Sequence, residues 1–315
     1  MKIYHYQRDD RQPNFGDELN QWLWPKLMPD CFSPQAPDDN HMFIGTGTLL
    51  NSRLPQRIQA AKRVSFIGTG AGYEQPLQQI PKHWHIYCVR GPMSAQQLNL
   101  PASKAVADGG ILVNRIFTNT QPKHYSASFI PHIHHANYAA DLWQSACNTA
   151  NIHYIDPRWP VETVLTDVGQ SQLLLAEAMH GAIVADALRV PWIPLVTSPR
   201  ILSFKWQDWC QSVELTYQPQ FVPPLPTYPR WGRGLRSGIA ASQHWLSALQ
   251  QNTSNTIQQT LQIRANLTSR RLNNIISTVK PNLSHPNVLS TRLDQLENHL
   301  EAFKLRHSQE QKPIS

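Results

Sequence analysis

Glu177 and His180, three residues apart and followed at once by Gly181, are the side chains of this sequence best placed to do chemistry. A histidine beside a carboxylate suits proton transfer near neutral pH. The apolar run Leu173-Leu174-Leu175 leads into the pair. A small-residue pattern, Ala182, Ile183, Ala185, Asp186 and Ala187, follows it and closes at Val190-Pro191. The spacing predicts a short strand, a tight turn and the start of a helix. In open α/β sheets ligands bind at the carboxyl ends of strands, against helix N-termini. The structural alternative is a helix packed on a sheet through its alanines, with His180 a hydrogen-bonded bystander. This stretch alone leaves both open.

Other candidates fall at similar places. Asn14, Gly16 and Asp17 stand where the first strand meets its helix. Glycine permits close backbone approach there, and the helix amides favour an anion. Asp17 is then a hydroxyl-orienting group or a base; its structural alternative is a cap for the helix beginning at Glu18. Arg90 precedes Gly91-Pro92 and Arg158 follows Asp156-Pro157, both at strand ends, and Lys205 stands among Phe204, Trp206 and Trp209. Guanidinium groups bind phosphate and carboxylate in bidentate fashion; the alternative for each cation is an ion pair at the surface. His132, His134 and His135 cluster after Ile130-Pro131, and His132, nearest the strand end, reads as a phosphate ligand or proton donor. No complete metal-ligand set is visible, so no metal site is expected. Gly45-Thr46-Gly47 and the run from Gly68 through Gly70 to Gly72 lack the full G-x-G-x-x-G spacing and an acidic ribose ligand. They read as cleft-lining loops, with Gly70 among the binding candidates. Trp22, Trp24, Trp192, Trp206 and Trp209 are either sugar platforms or core fillers.

These residues need a frame, and the sequence supplies one. Strand-like runs at 2–6, 42–44, 64–67 and 86–89 each lead into a glycine turn or a helical segment. After a polar linker at 118–123 the alternation resumes, with strands at 129–130, 152–155 and 191–196 and helices at 138–150 and 161–168. Such alternation implies parallel strands with helices on both faces. The expected fold is α/β, with two Rossmann-like halves facing a cleft: residues 1–120, residues 121–245, then a helical tail at 246–315. The proline-rich 223–229 reads as a surface crossing outside the core. In the tail, Leu289, Leu293, Leu296, Leu300 and Phe303 form an amphipathic stripe, with a companion helix before Pro281. Such an appendage serves self-association (a homo-oligomer) or docking, or else packs back on the body.

The net charge is +7 and the pI about 9.3. That balance suits an anionic ligand, an acidic polymer or an anionic lipid surface. No basic arm or nucleic-acid motif appears, so nucleic acid is not an expected partner. Four scattered cysteines without metal spacing read as buried reduced thiols. The N-terminus has no signal-peptide apolar region, and no stretch reaches membrane-spanning length. The expected location is cytoplasmic, with peripheral association at the inner face of the membrane.

Taken in order, N-F-G-D-E-L-N (14–20), the Gly-Thr-Gly loops, V-R-G-P-M-S (89–94), D-G-G-I-L-V (108–113), F-I-P-H (129–132), A-E-A-M-H-G-A-I-V-A-D-A-L-R-V-P-W (176–192) and F-K-W (204–206) resemble the polysaccharide pyruvyltransferase family. The likeness covers roughly residues 1–215. It implies a GT-B-like fold and transfer of a pyruvyl group from phosphoenolpyruvate to a sugar, giving a cyclic ketal. The implied acceptor is an exopolysaccharide or cell-wall glycan precursor, often lipid-linked. Phosphoenolpyruvate is the donor substrate and no cofactor is implied. His180 is then the general acid, with Glu177 or Asp17 the base. Some members carry Arg two residues before this histidine; here that residue is Ala178, which leaves the donor's charge to Arg158, Arg90 or Lys205. The competing readings are a GT-B glycosyltransferase using a nucleotide sugar and a non-catalytic scaffold of a polysaccharide-assembly complex.

Overall fold

The computed structural model describes residues 1–32, 40–198, 201–225 and 243–311, with backbone alone for 243–258 and 311. Its first half contributes strands β1 (Lys2–Ile3), β2 (His41–Ile44), β3 (Thr48–Leu50), β4 (Arg63–Ile67), β5 (Gly70–Ala71) and β6 (Trp84–Cys88). With them go helices α1 (Phe15–Leu27), α2 (Leu54–Arg57), α3 (Pro92–Gln97) and α4 (Val113–Ile116). The second half contributes β7 (Ser128–Ile130), β8 (His153–Tyr154), β9 (Leu174–Ala176), β10 (Trp192–Val196) and β11 (Gln220–Phe221), with α5 (Ile133–Ala150), α6 (Val161–Gly169), α7 (Met179–Ala187) and α8 (Ser203–Ser212). Two long helices follow, α9 (Gln243–Thr278) and α10 (Pro286–Gln311).

Every strand pairing is parallel. One sheet has the order β1-β2-β4-β6, the other β11-β10-β9-β7-β8, and β3 pairs separately with β5. Parallel sheets need cover on both faces, and the short apolar runs meet that need: Phe43, Val64, Phe66, Phe129, Leu174 and Leu175 are all fully buried. The fold is thus α/β with parallel sheets and flanking helices. A single apolar core joins Phe15, Leu19 and Ile111 of the first half to Ile183, Trp192 and Trp206 of the second.

Local differences from the sequence-based expectations have physical causes. The first strand pairs regularly only over Lys2–Ile3; Tyr4 still donates to the Phe43 carbonyl at 2.9 Å, and the chain then leaves the sheet. The helix expected at 138–150 begins at Ile133 and kinks at Ala139. His132 caps it, its ring accepting from the His134 amide at 3.4 Å, a role outside the usual Ser, Thr, Asp and Asn set. The cap of α1 is Asn14, not Asp17, which lies within the first turn. Leu225, within the expected surface crossing, is buried in the second half's core; residues 226–229 lie outside the described residues. Trp24, Trp192, Trp206 and Trp209 are fully buried core side chains and offer no face to a sugar. Trp22 is half-buried and donates to Glu162 at 2.9 Å.

The tail packs on the body. Leu289, Leu293, Leu296, Leu300 and Phe303 all bury their side chains, as their spacing predicts. Helix α10 lies against β4, β6 and the 3₁₀ turn Gly109–Leu112 of the first half, and α9 lies against α5 of the second. Between them Ser284 is held by the buried carboxylate of Asp186 and by Arg189. The four cysteines are free and buried. Among the described residues, no helix is long and apolar enough to cross a membrane.

Candidate active site

The strand–turn–helix expected around His180 forms as β9 followed by α7, with His180 in the first turn of the helix. Its ring is pressed against the start of α1. A Cβ placed on Gly16 would lie 2.2 Å from His180 Nδ1, so this position admits only glycine while the imidazole stays where it is. The other nitrogen, Nε2, is buried without a hydrogen bond and lies 3.8 Å from Asp108 Oδ1. Burial pushes the His180 imidazole down to about 3, helped by the nearby charges of Lys205 and Arg90. The ring is therefore neutral at neutral pH in the unliganded protein.

Asp108 is fully buried at the head of the 3₁₀ turn, where Oδ1 accepts from the Gly110 amide at 2.9 Å and Oδ2 is unpartnered. Burial raises its carboxyl to about 6, against the opposing pull of Arg90. A carboxyl raised in the fold keeps its proton between about pH 4 and 6, where the unfolded chain has lost it. Stability therefore falls as pH rises through that interval, and the cost persists above it. Asp108→Asn keeps an oxygen for Gly110. It should be more stable than the wild type at pH 7.5 by about 2 kcal/mol, an advantage that vanishes below about pH 4. Urea unfolding at the two pH values checks this; equal stability at both contradicts it.

Asp17 follows Gly16 in the first turn of α1. Asn14 Nδ2 donates to Asp17 Oδ2 at 2.6 Å, and both residues line a polar cavity of about 590 Å³ bounded by the segment from His5 to Gln12. Burial raises the Asp17 carboxyl to about 6, in spite of the Asn14 hydrogen bond and the charge of Lys205. Lys205, on α8, is nearly buried. Its ammonium donates to the Tyr73 hydroxyl at 2.8 Å and sits 5.1 Å from the centre of that ring. Among the described residues no carboxylate lies within ion-pair distance of it, and its charge is felt at Asp17, His132 and His180 alike. Burial, then Lys205, holds the His132 imidazole well below its usual range.

The remaining candidates have other partners. Glu177 is fully buried and accepts from the His132 amide at 2.9 Å, from His135 Nδ1 at 2.8 Å and from the Thr197 hydroxyl. It thereby ties the ends of β7, β9 and β10 together. Arg90 is fully buried: its Nε meets Asp208 at 2.9 Å, and its Nη atoms reach Thr48 Oγ1 at 2.7 Å and the Ala71 carbonyl at 2.8 Å. A Cβ on Gly70 would strike this guanidinium at 2.3 Å, so Gly70 makes room for Arg90. Arg158 is clamped by its neighbour Asp156 through two contacts at 2.8 and 2.5 Å. Its loop touches α1 through the Phe15 amide on the Pro157 carbonyl at 2.7 Å.

His180 thus packs on Gly16 with Asp108 3.8 Å away, and Asp17, the next residue of α1, is bonded to Asn14. This point of the fold lies within electrostatic reach of Lys205, which acts on His180, Asp17 and His132. Arg90 and Gly70 lie beneath, Glu177 is fixed within the scaffold, and Arg158 faces Asp156. Tyr73 and Thr197 go unnoticed in the sequence, and Asp108 enters there only as the head of the D-G-G-I-L-V motif, without a site role. Asp108 has one local signal, an acid before two glycines at the end of the apolar run 105–107; the other two have none.

Both halves of the chain contribute to this point, Gly16, Asp17 and Asp108 from the first and His180, Lys205 and His132 from the second. Among the described residues, this brings a cation without a counter-carboxylate within electrostatic reach of a neutral imidazole and a carboxyl of raised pKa, the kind of grouping found at functional sites. The model of a known family, polysaccharide pyruvyl transferase, matches residues 3–199. The chain is also 40% identical, over 226 residues, to the succinoglycan biosynthesis protein ExoV of Rhizobium meliloti (strain 1021); the match spans 71% of this chain and 68% of that protein. The chain belongs to the polysaccharide pyruvyl transferase family.

Proposed function

We propose that this protein transfers the pyruvyl group of phosphoenolpyruvate to two hydroxyls of one sugar in an exopolysaccharide precursor, forming a cyclic ketal and releasing phosphate. The family supports the pyruvyl transfer, and the relative's part in succinoglycan biosynthesis supports the exopolysaccharide acceptor. The observation that carries the choice of donor is Lys205, a nearly buried cation with no carboxylate partner among the described residues, whose charge acts on both His180 and Asp17. Phosphoenolpyruvate is a small polyanion whose reaction begins with proton transfer to carbon, and these groups meet both needs. The two halves act as the lobes of a GT-B-like body with the donor held between them. The acceptor is lipid-linked, and the reaction is cytoplasmic, at the inner face of the membrane.

In this reading the donor's charge offsets the fields of Lys205 and Arg90 at His180, so the imidazole takes up a proton as the donor binds. His180 delivers that proton to the methylene carbon, which leaves an oxocarbenium-like centre at C2. The first sugar hydroxyl adds to C2 as Asp17 accepts its proton. Phosphate departs with the C2–O bond pair, and the second hydroxyl closes the ketal as its proton passes to the departing phosphate, which leaves as hydrogen phosphate. Asp17 is the base rather than Glu177, because Glu177 already accepts from three donors. The mechanism requires no redox cofactor.

Asp17 must be ionised to act, and its carboxyl titrates near 6. Turnover should therefore rise with pH through about 6 in the wild type. Asp17→Asn should lose roughly 10²-fold in turnover, together with that rising limb; a variant that keeps the limb removes Asp17 from the role of base.

The donor assignment is tested by calorimetric titration with phosphoenolpyruvate beside UDP and GDP, for wild type and Lys205→Met. Saturable phosphoenolpyruvate binding, weakened roughly tenfold or more in the variant, is expected, since hydrogen bonds to charged groups contribute about 1.5–3 kcal/mol. Binding of a nucleoside diphosphate alone points instead to a nucleotide-sugar donor.

A further inference from the structure

The chain's positive charge is not evenly spread. Between Glu214 and Asp294 there is no acidic residue, yet eight arginines and lysines fall there, more than the whole chain's net +7. Among the described residues this acid-free stretch forms the edge strand β11, residues 222–225, helix α9 and the start of α10; Arg230, Arg233 and Arg236 lie outside the described residues. Phe221, Ile263 and Leu267 are 57%, 59% and 57% exposed, among the few large apolar side chains this open to solvent. Ile263, Leu267 and Arg270 follow one another at helical spacing, with Arg264 and Arg271 flanking them on the same face. Between α9 and the strand edge runs an apolar groove of about 490 Å³, floored by Pro223, Pro224 and Leu225 and rimmed by Arg264 and Arg271. Arg271 Nε donates to the Phe221 carbonyl at 3.1 Å and fixes the strand against the helix.

We infer that this face is a docking surface for an anionic lipid bilayer, with Phe221, Ile263 and Leu267 entering the headgroup–acyl boundary and Arg264 and Arg270 meeting lipid phosphates. Apolar side chains interleaved with unopposed arginines are what an interfacial membrane contact needs. Other occupants fit less well. A second copy on this face would set Arg264, Arg270 and Arg271 against their own counterparts, like charge against like. A nucleic acid would leave Ile263 and Leu267 without a partner. The face also has a defined place relative to the candidate site. Phe221 is in register with Val196, and the next residue, Thr197, bonds to Glu177. The docking face therefore lies at the same carboxyl end of the second sheet as His132, Glu177 and His180. The inference stands on this surface alone and goes beyond the reaction.

The test is co-sedimentation of the full chain with phosphatidylcholine vesicles, with and without phosphatidylglycerol. Three proteins are compared: wild type, Arg264→Gln/Arg270→Gln and Ile263→Ser/Leu267→Ser, each checked for an unchanged thermal melt. Wild type should partition onto the phosphatidylglycerol vesicles and weaken with salt. The arginine variant should partition roughly 30-fold less, at about fivefold per cation removed near an anionic surface. The serine variant should lose most of the binding that survives high salt. Equal partitioning of all three proteins overturns the inference, as does absence of wild-type binding. Conversion of a dimer to a monomer by the serine variant, without vesicle binding, assigns the face to a second copy instead. None of these readouts depends on phosphoenolpyruvate, so failure here is distinct from failure of the proposed reaction.

Discussion

His180→Ala should fold normally and lose at least 10³-fold in turnover. A positioned general acid contributes about 10²–10⁴-fold, and His180 is the side chain packed directly on Gly16. His132, the nearest alternative in the cluster, is held neutral by burial and Lys205, and its ring caps α5. The loss should fall on turnover more than on donor affinity, because the donor's charge is met by Lys205. A second signature separates an acid from a merely structural histidine. His180 is pushed down to about 3 in the unliganded protein, and an anion beside it raises that value. Donor binding near neutral pH should therefore be accompanied by proton uptake in the wild type and by much less in His180→Ala, read from calorimetry in buffers of different ionisation enthalpy. Near-wild-type turnover in the folded variant removes His180 from the chemistry.

Arg90→Met should cripple the fold rather than the reaction alone. The guanidinium is fully buried against Asp208, Thr48 and the Ala71 carbonyl, and Asp208 also accepts from the Ser94 amide and hydroxyl. Removing one partner of a buried pair leaves an uncompensated charge and typically costs about 3–5 kcal/mol. The pair joins two parts of the chain far apart in sequence, since Asp208 lies on α8 one turn from Lys205 while Arg90 lies just past the end of β6. Destabilisation should thus spread to the donor site. A fall in the denaturation midpoint is expected for Arg90→Met, with little change for Lys205→Met, whose ammonium, among the described residues, bonds only to Tyr73. If Arg90→Met keeps wild-type stability but loses donor binding, Arg90 is a ligand and not a tie between the two halves.

Much of the frame was legible because glycines punctuate short apolar runs. The runs around Phe43, Phe66 and Leu174 are buried strands, and the tail stripe from Leu289 to Phe303 buries as its spacing requires. His180 was legible for the same reason: strand, turn and helix start are all local signals. What stayed hidden depends on distant partners. Arg90 and Arg158 look alike in sequence, each a cation at a strand end. The first is consumed by Asp208, 118 residues away, and the second by Asp156, its near neighbour. Lys205 was legible as an anion-binding candidate with a surface ion pair as its alternative, but only the packing of α8 shows it nearly buried with its ammonium on the Tyr73 hydroxyl. Glu177 reads in sequence as a base, but in the structure it accepts from the His132 amide, His135 and Thr197, which no local pattern connects.

The most direct test of the central claim is product analysis. Purified protein is incubated with phosphoenolpyruvate and the lipid-linked oligosaccharides extracted from a polysaccharide-producing membrane, and the products are read by mass spectrometry with phosphate release measured in parallel. The account predicts acceptor-dependent phosphate release matched one for one by a ketal-linked pyruvate on a sugar, both abolished in His180→Ala. A glycosyl addition from a nucleotide sugar in place of the ketal, or pyruvylation undiminished in His180→Ala, would contradict it.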